Sequence, residues 1–116
     1  HDFLDKAVAS GAAALGIRDG ADFAVPYVKF SDTLRLLGLS GLLVREKCKA
    51  KIGAVTGSCG KTTVKEMAYS ILNQGFNAMC TDGNFNNDVG VPLTLLRLDD
   101  KLDYAIIEQG ASIKMI

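Results

Sequence analysis

Lys61 and Thr62 follow Gly57 and Gly60 in the stretch "AVTGSCGKTTVKEM", residues 54 to 67. Two glycines three positions apart can adopt backbone angles that bring successive amides close to an anion. A helix predicted to start near Lys61 aims its unpaired N–H groups at the same point. A lysine at that place acts on the outer phosphates of a nucleotide as a point charge, and the threonine after it is a hydroxyl ligand for Mg²⁺. Thr56, Gly57, Ser58, Cys59, Gly60, Lys61, Thr62 and Thr63 are therefore the candidate nucleotide-binding residues, with Lys61 the candidate catalytic group. The usual formula for such a cradle is Gly, four residues, then Gly-Lys-Ser/Thr, and it asks for glycine at position 55, where Val55 stands. A glycine-rich structural turn is the competing reading.

Two further stretches could complete a site. "LDYAIIE" ends an apolar run on Glu108, which would place a carboxylate beside the metal, so Thr62 and Glu108 are the candidate metal ligands. A solvated glutamate at a strand end is the plainer alternative. "GNFNNDVGVP", residues 83 to 92, sets Asn84, Asn86 and Asn87 between glycines. Asparagine both donates and accepts, which suits contacts to carbonyl, hydroxyl and phosphate groups. Asparagine and glycine are equally the residues that form turns.

The elements that must position these residues follow from periodicity. "KIGAVT" reads as a short buried strand entering the glycine turn. After the turn, Val64, Met67, Ala68, Ile71 and Leu72 recur at helical spacing and predict a helix laid on a sheet by that face. "FNAMC" and "LDYAIIE" read as strands, and "VPLTLLRL" as a short helix with Pro92 in its first turn. Upstream, residues 3 to 14 predict a helix with Phe3, Leu4, Ala7, Val8 and Ala12 on one face and Asp2 as N-cap. "FAVPYVKF" is an edge or broken strand because of Pro26. Ser31 and Asp32 open a second helix that carries Gly38 and Gly41. Strands alternating with helices imply an α/β fold with a parallel, P-loop-type sheet flanked by helices. In such a sheet ligands gather at the carboxyl ends of the strands, where the glycine turn and Glu108 would meet.

The bulk composition narrows the function. Lys plus Arg and Asp plus Glu number 13 each, so no net field draws the chain to nucleic acid or to an anionic membrane. The three cysteines, Cys48, Cys59 and Cys80, lack CxxC spacing and fit a reducing, cytoplasmic setting rather than a disulfide framework. The most apolar run, residues 34 to 44, is well short of the roughly 18 residues that span a bilayer. No signal-peptide pattern is present, and "HDFLDKA" carries no initiator Met. Both ends are expected to continue into a longer chain.

"AVTGSCGKTTVKEM", "TDGNFNNDVGVPLTLLRL" and "DYAIIEQGA" together resemble the Mur ligases. The loop of that family lacks the early glycine, which accounts for Val55. Within the family the chain resembles most the branch that joins D-alanyl-D-alanine to a UDP-N-acetylmuramoyl-tripeptide. The resemblance is dense over residues 51 to 111 and looser before them. It implies that residues 1–48 end an N-terminal UDP-sugar-binding domain of small α/β type and that 49–116 begin the central ATP-binding domain. It implies an ATP- and Mg²⁺-dependent amide ligase of peptidoglycan synthesis, cytoplasmic and monomeric, with Lys61 on the β- and γ-phosphates. Thr62 and Glu108 would hold Mg²⁺, and Asn84, Asn86 and Asn87 would line the meeting place of substrate and nucleotide. After Ala111 the chain departs from the family pattern with "SIKMI". This segment by itself is expected to be inactive. The competing functions are another P-loop enzyme (another Mur ligase, a folylpolyglutamate-synthase-like enzyme, a small kinase or GTPase) and a non-catalytic ATP-binding module. Cys59, at the variable loop position, carries an expected sensitivity to oxidation.

Overall fold

A computed structural model describes residues 3–20 and 23–111. Asp2, the expected N-cap, and the departing end "SIKMI" lie outside the described residues. Packing divides the chain into two units, His1–Leu36 and Leu37–Ile116.

The first unit holds α1 (Leu4–Ala9), β1 (Leu15–Ile17) and β2 (Tyr27–Lys29), and ends in the opening of α2 (Thr33–Lys47). α1 stops well before residue 14, where Gly11 leaves the helical region at φ 96°, and it buries none of its residues. The expected apolar face therefore ends with the helix. β1 and β2 pair in parallel, Leu15 opposite Tyr27, and β2 begins directly after Pro26, whose carbonyl accepts from Leu15 N at 2.9 Å. Leu15 and Ile17 are the buried residues of this pair. The Leu36 side chain lies over Gly16, with its Cδ2 2.6 Å from where a Cβ would stand. Asp32 caps that helix as expected: its Oδ1 accepts from Leu34 N at 3.0 Å and Arg35 N at 3.2 Å.

The second unit contains β3 (Lys51–Val55), α3 (Lys61–Leu72), β4 (Ala78–Cys80), α4 (Gly90–Leu95) and β5 (Tyr104–Glu108), together with α2 from Leu37 onward. Its three strands are all parallel in the order β3-β5-β4, with Val55 opposite Glu108 and Cys80 opposite Ile106. The last strand in sequence thus lies between the other two, and Glu108 ends up beside the exit of β3. Alternation along β5 divides its side chains between two faces. Ala105 and Ile107 join Met79, Val91, Leu95 and Leu98 in the core, with Val44 and Cys48 against them. Gly41 makes this packing close, since a Cβ there would lie 3.2 Å from Pro92 Cα. The helical cost of that glycine, about 1 kcal/mol relative to alanine, accompanies a close approach of α2 to α4.

The other face of β5 meets α3, and there the expected orientation is corrected. Val64, Met67 and Ile71 are exposed at 53%, 60% and 67%, while Lys65 is 0% exposed. The inward stripe is Lys61, Lys65, Ala68 and Leu72, which keeps Ala68 and Leu72 of the expected face but is rotated from it by roughly 60° about the helix axis. The apolar pattern alone does not choose this face. The chain instead buries a lysine whose charge finds partners on neighbouring segments.

Candidate nucleotide and metal site

β3 delivers the chain into residues 56–60, where Gly57 has φ 145° and Gly60 φ 79°. Side chains at these angles are strained, so glycine is what allows the loop to turn its amides toward the start of α3. Gly60 is the residue before the helix proper, and Val64 N closes the first turn on Gly60 O at 3.0 Å. The free amides and the positive end of the α3 dipole thus face the loop. The Lys61 ammonium donates to Gly57 O at 2.7 Å, which holds it over the loop with two donors left for an anion. Val55 causes no conflict: it is the last residue of β3, paired with Glu108, and needs no special backbone angle.

At the carboxyl edge of the sheet a cavity of about 240 Å³ is lined by Gly60, Lys61, Thr62, Thr63, Asn84, Asn86 and Glu108. These candidates, drawn from three separate stretches of sequence, share one wall. Thr56, Gly57, Ser58 and Cys59 form the adjoining loop, with Thr56, Ser58 and Cys59 exposed. Asn87 is used otherwise. Its Oδ1 accepts from Gly90 N at 2.7 Å and Val89 N at 3.2 Å, which caps the start of α4 rather than the cavity.

Glu108 is the centre of the arrangement, with 1% exposure. Its Oε1 accepts from Asn86 Nδ2 at 2.9 Å. Thr62 Oγ1 donates to the carboxylate at 3.3–3.4 Å, and Lys65 Nζ stands 3.6 Å from Oε2. Glu108 N donates to Thr81 Oγ1 at 2.8 Å, and the next residues are tied by Gln109 N to Val55 O and Gly110 N to Asn86 O. The solvated-glutamate reading of the sequence does not describe this residue. A hydroxyl and a carboxylate form a hard oxygen donor set, which fits Mg²⁺. Among the described residues no group of three or more His, Cys, Asp or Glu could hold a metal. A cation here would therefore complete its shell with phosphate oxygens and water, the habit of Mg²⁺ in nucleotide sites.

Sequence reasoning missed Lys65 and Thr81. The signal for Lys65 was present: it lies four residues after Lys61 and so on the same side of the helix. Thr81 continues β4 beyond Cys80, donating from its N to Ile106 O at 3.0 Å, and nothing in its neighbours marks it. Beside this network burial pushes the Cys80 thiol pKa up, and the Glu66 carboxylate adds to the shift.

The family model of the Mur ligase middle domain matches residues 55–114. The chain belongs to the Mur ligase family. It is 48% identical over 112 residues to the UDP-N-acetylmuramoyl-tripeptide–D-alanyl-D-alanine ligase of Escherichia coli, covering 97% of this chain and 25% of that protein. The ligase of the same name from Bacillus subtilis is 33% identical, with 98% of this chain and 26% of the relative covered. Among solved structures, MurF from Acinetobacter baumannii superposes with a TM-score of 0.87 at 40% identity, over 96% of this chain and 25% of that one. MurF from Thermotoga maritima in complex with ADP gives 0.84 at 28% identity, over 97% and 26%. This Mur ligase chain thus spans about a quarter of the length of the relatives it matches. Its α/β architecture, with parallel sheets flanked by helices, is that of its structural neighbours.

Proposed function

We propose that this chain is the nucleotide-binding portion of a longer Mur ligase that joins D-alanyl-D-alanine to a UDP-N-acetylmuramoyl-tripeptide at the expense of ATP. The observation that carries the reading is the convergence of Lys61, Thr62, Glu108 and Asn86 on one cavity at the carboxyl edge of the sheet. Its likeness to ligases of that name over 97% of its length supports the choice of substrates. On this reading residues 1–48 close a UDP-sugar-binding domain and 49–116 open the ATP-binding domain of a cytoplasmic, monomeric enzyme.

The tripeptide carboxylate attacks the γ-phosphorus of ATP, ADP leaves, and an acyl phosphate forms. The amine of D-alanyl-D-alanine then attacks the acyl carbon, phosphate departs, and the amide remains. Such transfers depend on positioning and charge neutralisation. The amides of residues 57–61 cradle the phosphates, and Lys61 neutralises charge growing on the β- and γ-phosphate oxygens. Thr62 and Glu108 hold Mg²⁺, which when bound offsets the negative charge of the phosphates. Asn84 and Asn86 present amide groups where substrate meets nucleotide, and Asn87 sets their loop by capping α4.

The test is ADP release by the full-length enzyme. Release that requires both the UDP-muramoyl-tripeptide and D-alanyl-D-alanine is the expected result, and release indifferent to them would sink the reading. The 116-residue segment alone is expected to show no ligation.

A further inference from the structure

Lys65 is fully buried, yet none of the chemistry above uses it. Its ammonium has three protons. One goes to Thr81 O at 2.8 Å, one to Gly83 O at 3.2 Å, and Glu66 Oε1 lies within reach at 3.1 Å. Glu108 Oε2 is a further 3.6 Å neighbour. The two carbonyls bracket Asp82, and the second belongs to the residue immediately before Asn84. One side chain therefore ties α3 to the segment that carries the cavity's asparagines. It also faces one oxygen of Glu108 while Asn86 holds the other. That leaves the carboxylate pinned from two sides and turned to Thr62.

A lysine is an expensive residue to bury unless its charge and donors are all met. An apolar side chain would fill the space and leave two carbonyls without donors. We propose that Lys65 is a positioning residue of this site. It clamps residues 81–83 to α3 and orients Glu108 toward Thr62, so that a divalent cation bound with nucleotide meets a preset carboxylate. Lys65 touches neither nucleotide nor substrate itself. The inference rests on the nucleotide-site reading above and adds to it a residue that acts through Glu108.

The test compares the full-length enzyme with Lys65→Met. ADP affinity is measured with Mg²⁺ and, separately, in EDTA. The loop of residues 57–61 does not involve Lys65, so affinity in EDTA is expected to stay within about twofold, while the gain in affinity from Mg²⁺ falls at least about tenfold, as for other groups that orient a metal ligand. A purely structural role would lower both affinities together. An unchanged Mg²⁺ gain, or parallel losses, overturns the proposal. Lys65→Met alone leaves the Glu108 charge buried without its neighbour and could unfold the protein. The pair Lys65→Met, Glu108→Gln removes both charges. On the Glu108→Gln background, Lys65→Met is expected to cost no further Mg²⁺ gain, and full additivity overturns the proposal. Hydrogen exchange supplies a readout independent of nucleotide. Amides of residues 82–86 should exchange at least about tenfold faster in the paired variant than in Glu108→Gln, with α4 unchanged. Equal exchange there refutes the clamp. If the parent enzyme bound no ADP, the function reading would fail and the exchange result would still decide the clamp.

Discussion

Two loops meet at the carboxyl edge of the sheet, and they are built on opposite plans. Residues 56–60 offer backbone amides, held by the angles of Gly57 and Gly60 and by the helix that begins at Lys61. The glycine angles and the Lys61 to Gly57 bond that shape this loop lie within a few residues of one another. Residues 81–90 offer side chains instead, and their supports come from far along the chain. Lys65 holds the carbonyls at 81 and 83, Glu108 receives Asn86, and Gly110 N donates to Asn86 O. A loop that works through its backbone is exposed to changes in torsion angle. A loop that works through side chains is exposed to changes in its distant supports.

The largest effect that would test this contrast is loss of the one side chain the first loop contributes as a charge. Lys61→Ala should lower turnover of the full-length enzyme by about 10²–10³-fold, the loss seen when a preorganised charge-stabilising donor is removed. Its melting temperature should hardly move, because among the described residues Lys61 Nζ bonds to the Gly57 carbonyl four residues back, a contact within the loop itself. A large drop in melting temperature would break the comparison by showing that the first loop, too, depends on side-chain support.

Gly90→Ala comes next. Its Cβ would lie 2.6 Å from the Cα and C of Phe85, backbone atoms that cannot swing aside. Overpacking of this kind costs about 1–3 kcal/mol, to be read as a lower melting temperature together with a raised KM for the acceptor substrates. Gly60→Ala meets nothing within 4 Å and suffers only from its φ of 79°. It should lose about 1–2 kcal/mol, with the defect showing in nucleotide affinity instead. If both glycine variants raised the same constant, the division of labour between the loops would be wrong.

Asn87→Ala is the smallest and sharpest. Removing an oxygen that accepts from Gly90 N and Val89 N should cost about 1 kcal/mol of stability, as for other helix-start caps. KM should change less than in Asn86→Ala, since Asn86 bonds Glu108 within the cavity and Asn87 does not line it. Equal KM changes would put Asn87 among the substrate contacts after all.

These differences follow how much of the molecule could be read in one dimension. Strand, glycine turn and helix around Lys61 were legible because each is specified by near neighbours, although β3 lies at the edge of the described sheet and is not the buried strand expected, with Lys51, Gly53 and Ala54 exposed. The same holds for the Asp32 cap, for the parallel class of the sheet, and for Val55, which is simply the end of a strand. The orientation of α3 was not legible. Of the expected apolar face, Ala68 and Leu72 turn inward, but Val64, Met67 and Ile71 face outward, and the helix turns Lys65 in. Hydrophobic periodicity finds a candidate face by assuming that charge stays in water.

The sequence by itself determined the chemistry on offer: a glycine-held anion loop with Lys61 and Thr62, a carboxylate at a strand end, and an asparagine loop. Only the tertiary structure decided how these meet. It set β5 between β3 and β4, so that Glu108 stands opposite Val55, and it divided the asparagines between cavity and cap. It also made the burial of Lys65 tolerable. The cost of taking an ammonium out of water is met by oxygens at residues 66, 81, 83 and 108, most of them remote in sequence, and such partners exist only once the chain has folded.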